Sequence, residues 1–218
     1  MAGGAVGTTG FFLCIRVADY CPGTRQYLHM LWIQTPSVKP GDPPRSGLVG
    51  YRRLSWADFE PRNVASGASA QTSAVLHATY KWGWMSRGSQ FTGFISDVRI
   101  GAWFDPAGSW RKPDVRSDNT FLLEHEQRHF DLCEVGARML RDQIMQIRGD
   151  IKGSSDAEIK SKVQNIMNPL VTSFIDDVKR QQERYDKESN HSRNRRAQQD
   201  WNQRIQQDLD RLAPISGR

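Results

Sequence analysis

The residues His125-Glu126-Gln127-Arg128-His129 carry the side chains with which this chain can do chemistry. On a helix, positions four apart project from the same face, one turn from each other. Both imidazoles can therefore bind one Zn²⁺ at about 2.0–2.1 Å. Glu126 follows His125 and lies about 100° further round the helix axis. From there its carboxylate can reach a water at the metal without being a ligand. This is the H-E-x-x-H arrangement, in which the glutamate serves as general base and the metal lowers the pKa of the water.

A catalytic zinc takes three protein ligands and keeps one position open. Cys133 lies close in sequence, but eight residues of helix separate it from His125, about 12 Å. It reads as a small buried hydrophobe. A third histidine at the H-E-x-x-H-x-x-G-x-x-H spacing is missing, because Leu132 and Val135 occupy those places. Asp156 and Glu158 are candidate acids, but a helix-capping box accounts for both. His191 is the better third ligand, since it sits at a helix break where a loop can turn its ring toward the first helix. His29 and His77 precede the motif, and His77 reads as a surface or satisfied core histidine within a strand.

With zinc on His125, His129 and His191, Glu126 takes a proton from the water that attacks a carbonyl and returns it to the leaving amine. Tyr185 is a candidate donor to the developing oxyanion, or equally an aromatic that packs a helix end on the core. Asp186 is either an acceptor for a ligand histidine's second N–H or a surface cap. Trp110 reads as a core or loop anchor ahead of a substrate-stacking ring. A strand near 94–104 can pair with an extended peptide.

These side chains need a helix to carry them and a sheet to pack it. Ser117 or Asp118 can cap a helix whose amphipathic run extends from Phe121 to Ile147. Gly149 and Gly153 end it. Ser155-Asp156-Ala157-Glu158 opens a second helix, with a stripe of Ile159, Val163, Ile166, Met167, Leu170, Phe174 and Val178. Pro169 is positioned to kink it, and Asn190-His191-Ser192 breaks it. A third helix runs to about Leu212 with Trp201, Ile205 and Leu209 on one face. Before all three, Val75–Trp82 and Phe91–Phe104 read as strands joined through a hairpin. Leu54, Trp56 and Phe59 read as a docking strand or turn, and 60–73 and 105–117 as loops. Strands first and helices after make an α+β fold: an N-terminal antiparallel β-sheet followed by three helices, the first a zincin-like active-site helix. Residues 1–50 read as a poorly ordered segment ending in a Pro- and Gly-rich linker at 36–47, with a short strand at Leu28–Ile33; 51–212 form the domain and 213–218 a tail.

Four segments together resemble a known family: L-S-W-x-D-F at 54–59, F-D-P-A-G-S-W at 104–110, L-L-E-H-E-Q-R-H-F-D-L at 122–132 and Y-D-K-E-S-N-H-S at 185–192. They look like bacterial domain-of-unknown-function family 922, described as predicted secreted zinc-dependent proteases. The resemblance spans roughly 51–212 and implies a secreted or periplasmic peptidase acting on peptide or protein substrates. Arg128 stands where the family has a small Gly, and Ser189 and Ser192 replace Thr and Gly. An arginine there can narrow or charge the rim of the site.

Composition bounds the alternatives. The net charge is +6 and the pI about 9.4, which admits a basic nucleic-acid-binding protein. Its densest basic piece, Arg193 to Arg196, is followed by Asp200, Asp208 and Asp210, so a solvated helix face and no nucleic acid is the reading. A zinc-binding, non-catalytic interaction protein is the other alternative. Cys14, Cys21 and Cys133 lack zinc-finger spacing, although the first two can pair in an oxidising compartment. No apolar run reaches the length of a membrane span. Residues 11–21 are apolar but broken by Arg16 and Asp19, so no convincing secretory signal is present and either the chain is cytoplasmic as written or its start is not the natural one.

Overall fold

The computed structural model describes residues 7–11, 38–41, 43–65, 67–147 and 151–212. Strands β1 (Gly7–Phe11), β2 (Val38–Pro40) and β3 (Val49–Gly50) precede a single 3-10 turn at Trp56–Asp58. Strands β4 (Glu60–Pro61), β5 (Ala70–Gln71), β6 (Ala74–Arg87), β7 (Gln90–Phe104) and β8 (Trp110–Arg111) follow. Helix α1 (Thr120–Met145), strand β9 (Ile151–Gly153), helix α2 (Asp156–Ser189) and helix α3 (Arg195–Arg211) complete the chain. The fold is α+β, with the sheet region first and three helices after it.

The spine is the β6–β7 hairpin; β6 runs on from the expected Trp82 to Arg87, and β7 begins one residue before the expected Phe91 and ends at Phe104 as expected. Gly88 and Ser89 form its two-residue turn, with Gly88 at φ +62°. A glycine in the left-handed region at the first turn position suits the twist of two tightly joined strands. Further along, Thr79 faces Arg99 but Lys81 faces Ser96, so β7 carries one extra residue. Asp97, at φ 45°, lies in this bulge. The insertion shifts the alternation by one, which is why Ile95 and Val98 both point inward although they are three residues apart. β1 pairs antiparallel with β6, β3 and β9 antiparallel with β7, and β2 parallel with β7 at Val98–Ile100. The sheet is thus mixed, and it recruits strands from the segment read as peripheral and from the expected linker. The Leu28–Ile33 strand, Cys14, Cys21, His29 and the 213–218 tail lie outside the described residues.

A smaller sheet, in the order β4-β8-β5, fills the two stretches read as loops. Its two-residue strands leave no periodicity to read. Leu54, Trp56 and Phe59 dock this region on the core, with Trp56 against Phe59 and Phe59 against Phe104 at 5.3 and 5.5 Å between ring centroids.

α1 is capped by Asn119, whose Oδ1 accepts from Leu122 N at 3.1 Å, and not by Ser117 or Asp118. Ser155 caps α2 by accepting from Glu158 N at 3.2 Å. The reciprocal half of that capping box is displaced: Glu158 Oε2 accepts from Ser154 N at 2.7 Å. α2 continues through Pro169. Its buried stripe is Ile159, Val163, Met167, Val171, Ile175 and Val178, while Ile166 is exposed. Among the described residues, no helix is long and apolar enough to cross a membrane.

α1 lies between two apolar clusters. Phe130, Cys133, Ala137, Leu140 and Ile144 join the main core against the sheet and α2. Leu132 and Val135 join a second cluster with Tyr185, Trp201, Ile205 and Leu212. Leu122 belongs to the first cluster and Leu132 to the second. As a result every side chain from His125 to Arg138 is buried. At Gly136 a Cβ would lie 2.3 Å from Val178 Cγ2, so α1 and α2 approach where one of them has no side chain.

Candidate metal centre

The middle of α1 presents His125 and His129 toward the last turns of α2. His125 Nε2 and His129 Nε2 are 3.3 Å apart, and Asp186 Oδ1 lies 3.1 Å from the first and 3.0 Å from the second. These three atoms form the group able to hold a metal among the described residues. Ligand atoms about 2.0–2.1 Å from a tetrahedral zinc lie about 3.3 Å from one another. Two imidazole nitrogens and one carboxylate oxygen at 3.0–3.3 Å therefore fit such an ion in both spacing and donor type.

Asp186, expected as an acceptor or a cap, stands at the third corner. His191, expected there, does not join the converging set. Its Nδ1 lies 3.4 Å from Asp186 Oδ1, and its side chain is 54% exposed at the cavity mouth. The turn that carries it holds three consecutive residues in the left-handed region, Asn190, His191 and Ser192, at φ 49°, 50° and 66°. Single left-handed residues are ordinary, whereas a run of three without glycine is costly.

Glu126 shares a cavity of about 220 Å³ with the triad. Its Oε2 accepts from Thr72 Oγ1 at 2.8 Å, and its own carbonyl accepts from the same hydroxyl at 3.1 Å. Thr72 immediately follows β5, so the small sheet positions the carboxylate. Burial pushes the Glu126 pKa above the ordinary carboxylate range, against the pull of His129 and Thr72. Burial lowers the His125 pKa. Burial also opposes charge on His129, but hydrogen bonding and charge from Asp186, with help from Glu126 and Gln182, hold its pKa up. Asp186 loses solvation, yet the two histidines keep its carboxyl well below its usual range.

Tyr185 is fully buried behind the histidines and does not line the cavity. Its ring stacks on His125 at 4.7 Å and 26°, and meets His129 edge-on at 5.2 Å. This geometry makes it a wall that orients the imidazoles. Cys133 is buried, its thiol pushed up to about 12 by desolvation, and its Sγ accepts from Gln182 Nε2 at 3.2 Å.

Gln127 and Arg128, between the histidine ligands, anchor the opposite side of α1. Gln127 Oε1 accepts from Leu54 N at 2.6 Å, while its Nε2 donates to Asp131 Oδ1 at 2.8 Å. Tyr51 Oη donates to the same oxygen at 2.8 Å. Arg128, expected at the rim of the site, instead pairs with Asp131 Oδ2 at 2.8 Å and stays buried away from the cavity. His77 is buried in β6, and Trp110 is buried in β8.

Thr72 and Gln182 were not singled out from the sequence. Gln182 had a legible signal: it continues the buried series Val171, Ile175, Val178 toward Tyr185 and Ser189, a polar residue at a core position. Thr72 had none, because nothing local in the sequence links it to α1. Comparison with protein-family models, with curated proteins and with solved structures finds no match for the chain.

Proposed function

We propose that this chain is a zinc-dependent hydrolase, with peptide bonds as its substrate. One observation carries the reading: two histidine nitrogens and the Asp186 oxygen converge at 3.0–3.3 Å in a cavity that also holds the buried Glu126. His125, His129 and Asp186 would hold the ion, which supplies Lewis acidity to the site when bound. Glu126 is the proton carrier. It takes a proton from the water that adds to the carbonyl carbon and delivers it to the amine as the C–N bond breaks. Burial raises its pKa, which helps it hold the proton between the two steps. Tyr185 keeps the imidazoles in place, and His191 is available at the mouth to meet the substrate.

The cations of α3 favour a structural face over nucleic-acid binding. Arg195 lies over Phe121, Arg204 over Trp201, and Arg211 pairs with Asp208. The test is zinc content of the purified chain together with hydrolysis of an unfolded protein substrate. Stoichiometric zinc is expected, with turnover abolished by a chelator and restored by zinc. Stoichiometric zinc without turnover would replace this reading by a non-catalytic zinc-binding protein. No zinc at all would remove both.

A further inference from the structure

We infer that the chain holds a second ligand site, for a small oxyanion such as a carboxylate or a phosphate, in the cavity where α1, α3 and the segment before the 3-10 turn meet. The site stands apart from the metal and does not depend on it.

This cavity has a volume of about 250 Å³ and shares no lining residue with the metal centre. Arg53 lines it from the segment before the 3-10 turn, Arg128 and Arg138 from α1, and Gln206 and Asp210 from α3. Its acceptors are largely occupied. Asp131 is buried, and its Oδ1 accepts from Tyr51 Oη and Gln127 Nε2 at 2.8 Å each. Its Oδ2 accepts from Arg128 Nη1, also at 2.8 Å. Asp210 Oδ1 accepts from Gln206 Nε2 at 2.9 Å.

The donors are in surplus. Arg138 is only 7% exposed. Its Nε is paired with Glu134 from outside the cavity, and its Nη1 donates to the carbonyls of Leu209 and Leu212. Its Nη2 has no hydrogen-bond partner among the described residues. Arg128 Nε is buried without a partner. Arg53 is exposed, and its guanidinium makes no hydrogen bond or ion pair among the described residues. A guanidinium cannot shed a proton to relieve this, so the spare N–H groups call for an acceptor. A carboxylate or phosphate offers paired lone pairs that match the N–H fork of an arginine. An apolar occupant would leave those donors unmet, and a cation would meet three arginines. The volume lies below the roughly 300–1,000 Å³ of pockets for drug-sized ligands, which suits a small ion with its water.

The experiment uses the full chain, stripped of metal over a chelating resin because zinc itself would bind either anion. Phosphate and acetate are titrated in separate arms at fixed ionic strength, with chloride as the reference salt. The Nε–H resonances of Arg128 and Arg138 are followed by NMR, and thermal melting gives a second measure. Both resonances are expected to shift saturably with at least one of the two anions, and Tm to rise by about 2–4 °C at roughly five times Kd. The arm that saturates at the lower concentration identifies the source. Arg53→Met removes an exposed, unpaired guanidinium and is expected to weaken binding by at least about tenfold. Gln206→Glu puts a carboxylate oxygen where Gln206 Oε1 now lies 3.3 Å from Arg128 Nη1, so the site carries its own anion and binding is expected to be lost. Arg180→Met removes the same charge from an exposed position on α2 outside the lining, and is expected to bind as the parent does. No saturable shift with either anion overturns the inference, as does an Arg180→Met variant weakened as much as Arg53→Met. Binding that survives Gln206→Glu unchanged overturns it too. Zinc takes no part in these readouts, so failure here leaves the metal-centre reading standing.

Discussion

Replacing Glu126 by Gln keeps the shape of the side chain and removes its charge and its capacity to carry a proton. The structure allows the consequences to be separated. Glu126 lies outside the three converging ligand atoms, so zinc affinity is expected to stay within about threefold. Thr72 Oγ1 can still donate to the remaining amide oxygen, so the local hydrogen bond survives. Turnover is different. General acid–base catalysis by a placed side chain contributes about 10²–10⁴-fold, or roughly 2.7–5.5 kcal/mol at 1.36 kcal/mol per decade. A fall of that size in kcat is expected, with KM little changed. Stability moves the other way. Burial raises the folded-state pKa of Glu126, so the ionised carboxylate is disfavoured in the folded chain at neutral pH. The amide escapes that penalty, and a gain of about 1 kcal/mol would raise Tm by about 2–4 °C for a chain of this size. The assay is hydrolysis of a fluorogenically labelled unfolded protein by parent and variant loaded with equal, measured zinc. Melting of the metal-free proteins gives the stability arm. Turnover within tenfold of the parent, with zinc retained, would refute Glu126 as the proton carrier. Loss of zinc would instead make Glu126 a ligand and break the triad.

Other substitutions probe the framework. Asp186→Asn should weaken zinc binding by at least about 100-fold, because a charged ligand becomes neutral, whereas His191→Ala should cost less than about tenfold; the reverse order, read by chelator competition, would return the third corner to His191. Arg138→Ala strands Glu134, whose partner Nε lies 2.8 Å away in a buried pair, and releases the carbonyls of Leu209 and Leu212. A loss of about 3–5 kcal/mol is expected in denaturant titration. Gly136→Ala places a Cβ 2.3 Å from Val178 Cγ2. Overpacking of about 1–3 kcal/mol outweighs the roughly 1 kcal/mol gained in helix propensity, and Val178→Ala should restore the loss; a rise in Tm for the single variant would contradict the close approach.

What could be read from the sequence divides by range. The pairing of His125 with His129 is set by helix geometry alone, and the order of strands before helices by the period of the apolar residues. Asp186 lies 57 residues beyond His129, and its place depends on how the end of α2 crosses α1. No local pattern encodes that crossing. The helix break at Asn190–Ser192 was legible and pointed to the right region, but the ligand atom proved to lie on the last turns before the break and not in the turn. The β6–β7 strands were legible as alternating runs, while the bulge at Asp97 was not, because one inserted residue leaves the overall alternation intact on either side. β4, β5 and β8 are too short to carry a period, and with them went any sign that Thr72 would meet Glu126.

The buried polar side chains of α1 have a physical explanation in what surrounds the helix. A surface helix needs one apolar stripe, but α1 is covered by the sheet and α2 on one side and by α3 on the other. Its polar side chains are then buried with it, and each must find a partner or carry a large cost. Gln127, Arg128 and Asp131 meet Leu54 N, Tyr51 and one another, and Glu134 meets Arg138, which also caps the carbonyls at the end of α3. Apolar packing alone tolerates small rotations of a helix, because dispersion contacts are individually weak. Directional bonds on the far side of the helix do not. The bonds of Gln127 and Asp131 to the 51–54 segment therefore act on the metal centre: they set the rotation of α1, and with it the 3.1 and 3.0 Å approach of the His125 and His129 nitrogens to Asp186 on α2.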